Sequence, residues 1–177
     1  MRKNLLIHRY TNKILRVQKL NGAEQKLKGC FICKKHRAAI QIPGGAIYQD
    51  NLVYAGHVRI PEGESTAYLG HLTVETKRHI PGLAELVDSE AQALGLLIAH
   101  LSKALKDVQG AEHVYLFVLG HHTHHLHIHI VPRYRGTPRK YWGVSIDEWP
   151  DAPRGGPEEI ETVCAKLRDY LRKNFPS

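Results

Sequence analysis

Six of the chain's 13 histidines fall within residues 121–129, and the run His124-His125-Leu126-His127-Ile128-His129-Ile130-Val131 alternates imidazoles with aliphatic side chains. Side chains alternate across a strand, so His125, His127 and His129 project from one face while Leu126, Ile128 and Ile130 can anchor the other in a core. Three imidazoles spaced about 7 Å apart along a strand repel one another if protonated and compete for partners if buried. Such an arrangement asks for chemistry. Three kinds fit: a three-histidine metal site, a histidine nucleophile with histidine helpers, or a mixture of the two. Cys30 and Cys33 form a C-x-x-C pair, and Cys164 stands alone as a packing residue. An odd number of cysteines argues against a disulfide framework and for a reducing compartment, where the pair points to metal or redox work. A redox role calls for a thioredoxin-like βαβ context, which this sequence lacks.

The elements that must position these residues can be read from periodicity. Residues 1–29 are basic and polar, with a weak helical pattern through Ile14, Val17 and Leu20 that Gly22 and Gly29 interrupt. Residues 38–74 carry short runs containing Ile, Val and Tyr, punctuated by Pro43-Gly44-Gly45, Asp50-Asn51 and Pro61-Glu62-Gly63, which predicts an antiparallel meander. Leu94, Leu97, Ile98, Leu101 and Leu105 then recur at helical spacing, predicting a helix over 88–106 with Asp88 or Ser89 as N-cap. A buried strand is expected at 114–119 and another at 124–131, with 120–123 turning the chain between them. An irregular stretch rich in Arg, Pro, Gly and Trp runs to about residue 157. A terminal helix follows, with Ile160, Val163, Leu167, Tyr170 and Leu171 on one face. The expectation is a single α+β domain spanning 1–177, with its core over about 30–133, an amino-terminal basic extension (1–29) and a carboxy-terminal loop and helix (134–177).

Composition narrows the class of function. Apolar content of 42% with 24% charged residues is that of an ordinary globular chain. No stretch approaches 18 uninterrupted apolar residues, and the polar amino end argues against a secretory signal, so a cytoplasmic location is expected. The net charge of +8 favours anionic partners: phosphate-bearing small molecules, nucleic acid or acidic surfaces.

The run His125-Leu126-His127-Ile128-His129-Ile130-Val131 followed by Pro132-Arg133 resembles the signature of the histidine triad (HIT) superfamily of nucleotide hydrolases and transferases. Cys30-Phe31-Ile32-Cys33, the segment 47–54, His71-Leu72-Thr73-Val74 and Lys77-Arg78-His79-Ile80 fall in the order seen in its zinc-containing members, so the resemblance covers roughly residues 30–133. It implies a five-stranded antiparallel sheet with a main helix, and a homodimer. It implies His127 as the nucleophile that attacks the α-phosphorus of a nucleotide to give a nucleotidyl-histidine intermediate. His129 would donate to the phosphoryl oxygens, and His71 resembles the family's additional active-site histidine. A structural zinc held by Cys30, Cys33, His79 and His125 is implied as well. The substrate class the resemblance implies is a dinucleoside polyphosphate or nucleoside phosphoramidate. A transferase or phosphorylase on the same fold, or a nucleotide- or nucleic-acid-binding module without turnover, is the alternative.

Two departures from the family pattern stand out. Members carry a Gly-Gln-Ser-like turn before the triad, where this chain has Gly120-His121-His122-Thr123, leaving His122 as a possible proton donor to the leaving group. The acidic residue that binds ribose hydroxyls in relatives falls near His57, which cannot act as the same bidentate acceptor. Arg133 opens a segment through Trp142 in which basic and aromatic residues interleave, a composition suited to polyphosphate or single-stranded nucleic acid. His57 and Arg133 are thus the expected substrate-binding positions.

Overall fold

The computed structural model describes residues 29–120 and 123–175. The weak helical pattern at Ile14, Val17 and Leu20 lies outside them, as do His121 and His122. In chain order the elements are α1 (Phe31–His36), β1 (Ala46–Gln49), β2 (Val53–His57), β3 (Ala67–Tyr68), β4 (Leu72–Thr76), α2 (Asp88–Gln109), β5 (Ala111–Phe117), β6 (His127–Tyr134), β7 (Arg154–Gly155) and α3 (Pro157–Asn174). Strands β1-β2-β4-β6-β5 form one five-stranded sheet in that order, with every neighbouring pair antiparallel. Strands β3 and β7 form a separate two-residue ribbon. The fold is α+β, and no described helix is long and apolar enough to cross a membrane.

One face of the sheet makes the main core. Leu72 and Val74 of β4 and Ile128 and Ile130 of β6 pack with Leu94, Leu97, Leu101 and Leu105 of α2 and with Ile160 and Leu167 of α3. Leu101, Leu105 and Ile160 are fully buried, each worth about 1.5–3 kcal/mol in apolar area removed from water. Gly110, in the left-handed conformation at φ 72°, ends α2 and turns the chain into β5. The opposite face carries the polar residues of β4 and β6. It is covered at one end by α1 and at the other by a small cluster of Val131, Ile146 and Ala152 with Tyr115, Phe117 and Trp149. The carboxy-terminal loop thus acts as a second roof over the sheet.

Two expectations are corrected by this architecture, and one element is added to them. The strand expected at 114–119 is β5, and it lies at the sheet edge rather than inside it. Leu116 is 49% exposed and Val118 45%, because a short apolar run does not reveal whether a strand has one neighbour or two. Helix α2 begins at Asp88, with Val87 as its N-cap. The Glu90 carboxylate accepts the Val87 N–H at 3.2 Å and also binds Arg78 at 2.9 and 2.7 Å. That pairing fixes the chain just before His79. Finally, the six-residue helix α1 was not foreseen, being too short for a helical period to register.

Candidate active site and metal centre

The histidine run is not one uninterrupted strand. β6 starts at His127, and His125 lies just ahead of it. There His125 meets the end of β4, because β4 and β6 are antiparallel with Glu75 opposite His127 and Thr73 opposite His129. The Leu126 N–H donates to the Ile80 carbonyl at 2.7 Å, which extends the pairing past the strand ends and brings His79 and His125 together. Cys30 caps α1 and Cys33 lies in its first turn. Positions three apart on a helix share a side, so both thiols face the two imidazoles.

The four ligand atoms of Cys30, Cys33, His79 and His125 all lie within 4.8 Å of one another. Cys30 Sγ is 3.5 Å from His125 Nδ1; Cys33 Sγ is 3.4 Å from the same nitrogen and 3.3 Å from His79 Nδ1. Zinc bound tetrahedrally at its usual bond lengths to sulfur and nitrogen separates those ligand atoms by about 3.5 Å. The observed spacings fit. His125 Nε2–H donates to the Thr76 carbonyl at 2.7 Å, which leaves Nδ1 as the lone-pair nitrogen facing the thiols. Burial holds the His125 imidazole down at about 4, so it is neutral and able to coordinate. A two-sulfur, two-nitrogen set in this geometry suits zinc.

Two residues along, His127 is 5% exposed and its Nδ1–H donates to the His125 carbonyl at 2.7 Å. That bond fixes the tautomer and leaves the Nε2 lone pair free of a proton. The rings of His127 and His129 meet edge to face, with centroids 5.1 Å apart. His129 Nδ1 lies 3.0 Å from His71 Nε2. Burial, reinforced by His127, holds His129 at about 3, and burial with His129 and His57 nearby keeps His71 well below the ordinary imidazole range. Both are therefore neutral. His129 Nε2 is buried with no partner among the described residues. If His71 Nε2–H donates to His129 Nδ1, the proton of His129 sits on that orphaned Nε2. It is then a donor awaiting an acceptor from substrate.

The rings of His127 and His129 border a cavity of about 110 Å³, floored by Thr73, Glu75 and these two histidines and walled by Lys35 and Arg59. Its floor contains residues that sequence reasoning missed. The carboxylate of Glu75, 1% exposed, accepts hydrogen bonds from Lys35 Nζ at 2.5 Å, Thr73 Oγ1 at 2.8 Å and His36 Nε2 at 2.9 Å. Burial alone would raise its pKa. The Lys35 ammonium and the three hydrogen bonds outweigh that and hold it at about 2. The signal was present in the alternation of β4: Thr73 and Glu75 have the parity of His71, whereas Leu72 and Val74 face the core. A carboxylate in that register announces a polar floor.

The two expected substrate-binding residues are placed otherwise. His57 pairs with Leu72 and shares its parity with Val53 and Ala55, on the core side of β2. Its Nδ1–H donates to the Val58 carbonyl at 2.7 Å and its Nε2 accepts the Gly70 N–H at 3.1 Å, so both nitrogens are engaged by backbone. His57 and Val58 both border the cavity, and Val58 is the side chain on the site's parity. Arg133 lies four residues beyond His129 on β6, about 13 Å along the strand. Its guanidinium stacks on Trp142 at 3.8 Å and pairs with Glu112 at 3.5 Å. The interleaved basic and aromatic segment is thus partly consumed in its own packing. His122, the proposed proton donor, lies outside the described residues, although its neighbour Thr123 borders the cavity.

Comparison with known proteins agrees with this geometry. No curated protein matches the chain. Among solved structures, a Hit-like protein involved in cell-cycle regulation from Bartonella henselae superposes with a TM-score of 0.59 at 22% identity, covering 81% of this chain and 97% of that one. A Zn-bound histidine triad family protein from Mycobacterium smegmatis gives 0.60 at 18% identity, covering 82% and 94%. The Plasmodium falciparum diadenosine triphosphate hydrolase gives 0.55 at 16% identity, covering 77% and 81%. At these identities the likeness is one of fold. The family model for the HIT domain matches residues 39–136, a span that contains the histidine strand, the polar floor and His71 while leaving the two cysteines just outside it, and on that match the chain belongs to the HIT domain family.

Proposed function

We propose that the protein is a nucleotide hydrolase or transferase acting at the α-phosphorus of a dinucleoside polyphosphate or nucleoside phosphoramidate, with His127 as nucleophile. The observation that carries this reading is the hydrogen bond from His127 Nδ1–H to the His125 carbonyl, which leaves Nε2 as the ring nitrogen for the cavity that His127 borders. Nε2 forms a bond to phosphorus as the bond to the leaving group breaks, giving a nucleotidyl-imidazolium. Dividing one displacement into two lowers each barrier. His129 Nε2–H donates to the phosphoryl oxygens as negative charge accumulates, with His71 fixing its tautomer. Water or another acceptor then attacks phosphorus, the lone pair returns to Nε2, and a nucleoside monophosphate or its ester leaves. Cys30, Cys33, His79 and His125 would hold zinc in a structural role, tying α1 to the strand that carries His127. Because thiols ligate only while reduced, a cytoplasmic location belongs to the same proposal, as does the homodimer that family membership implies.

Incubation with a panel of nucleoside phosphoramidates and dinucleoside polyphosphates, quenched early, should show one nucleoside monophosphate added to the intact mass, and His127→Asn should abolish it. Unaltered mass and no turnover across the panel would replace the enzyme with a nucleotide-binding module on the same fold.

A further inference from the structure

The floor of the cavity beside His127 is charged yet internally compensated, and this constrains what can be buried there. Glu75 faces Lys35, Thr73 and His36 at once, so three of its roughly four acceptor positions are taken. Lys35 is the reverse. Its ammonium has three N–H groups, of which one goes to Glu75 while the charge lies 4.9 Å from the Tyr54 ring centroid. The residue is 8% exposed and borders both the His127 cavity and an adjoining cavity of about 700 Å³. The capacity left over in the Lys35–Glu75 pair is therefore mainly hydrogen-bond donor. With its charge offset by Glu75, Lys35 is poorly matched to a second phosphate, whose burial would demand an uncompensated cation. It is well matched to a neutral carbonyl oxygen.

We propose that Lys35, held in place by Glu75, is a specificity-determining residue that reads an exocyclic oxygen of the nucleobase, so that the enzyme selects oxo-bearing bases over amino-bearing ones. The inference rests on the nucleotide reading above, in which His127 attacks the phosphorus, and it places the attached nucleoside in the same cavity, which Lys35, Thr73 and Glu75 border. An oxo group accepts the spare Lys35 N–H. An amino group at the same position points a donor at a donor, leaving both buried groups unpaired. One hydrogen bond to a charged group, set against such a mismatch, corresponds to a discrimination of about tenfold or more.

Inosine and adenosine differ at this exocyclic group and in the proton on the adjoining ring nitrogen, as do uridine and cytidine, so their 5′-phosphoramidates are the probes and the loss of preference in Lys35→Met isolates the contact to Lys35. The ratio of kcat/KM, inosine over adenosine, is expected at about tenfold or more in the zinc-loaded wild type, and likewise for uridine over cytidine. In Lys35→Met it should fall to near unity. The paired variant Lys35→Met/Glu75→Gln, which leaves no lone buried charge, keeps the test open should the single variant fail to fold. Calorimetric titration with inosine and adenosine monophosphates reads the same preference without turnover. Equal handling of the two bases, an amino preference, or an oxo preference surviving in the paired variant overturns the assignment while His127 adducts still form. Absence of both binding and adduct with every nucleotide overturns the nucleotide reading itself.

Discussion

Replacing Glu75 with glutamine removes the anion at the centre of a buried network and leaves the Lys35 ammonium without its counter-charge. Lys35 and Glu75 side chains are 6% and 2% exposed, so solvent offers little screening. Breaking one partner of such a pair costs about 3–5 kcal/mol, whereas removing both together is close to neutral. A second route to the magnitude comes from proton linkage. The Glu75 carboxyl is held at about 2 against its ordinary 4.5, and at about 1.4 kcal/mol per pH unit that difference amounts to about 3 kcal/mol of stability. Because the folded value is depressed, the contribution is fully present above pH 4.5 and is lost as pH falls from there through about 2. The assay is denaturant unfolding of wild type, Glu75→Gln, Lys35→Met and the paired variant at pH 7, followed by wild type and the paired variant from pH 7 to 3. The singles should each lose about 3–5 kcal/mol and the pair much less than their sum. Wild type should lose stability relative to the paired variant only below about pH 4.5. Additive single losses below about 1 kcal/mol, or no pH-dependent difference between these two proteins, would refute the reasoning.

Purified protein is expected to carry about one zinc per chain by elemental analysis, and Cys30→Ser to lose most of it together with part of its resistance to unfolding. A native zinc content near zero, or one unchanged in the variant, would rule out the site. Gly44 lies at φ +80°, and a Cβ there would sit 2.3 Å from Cys164 Sγ and 2.9 Å from its Cβ. Gly44→Ala should therefore cost about 2–4 kcal/mol from backbone conformation and overpacking together; a loss under about 1 kcal/mol by thermal or denaturant unfolding would show that the loop and α3 yield more readily than this packing suggests.

Much of the molecule was legible in the residues themselves because its signals are local. Alternation marks the polar and core faces of β6, and helical recurrence of leucines marks α2. The histidine spacing marks the candidate catalytic strand, and the resemblance it carries correctly supplied the fold. What failed to be legible depends on neighbours. Whether β5 is an edge or a central strand is decided by pairing, and the short α1 by the thiols and strands it sits on. The engagement of both His57 ring nitrogens by backbone is likewise set by register, not residue type, because register decides which face a strand residue serves. The charge of Arg133 carries no information about distance, and in the fold Trp142 and Glu112 engage it. The sequence alone determined which residues could do phosphate chemistry and bind metal. Only the tertiary structure decided which of them meet, because antiparallel pairing of β4 with β6 brings Glu75 to His127 and His79 to His125 from 52 and 46 positions away along the chain. The buried Lys35–Glu75 pair exists only in that folded arrangement.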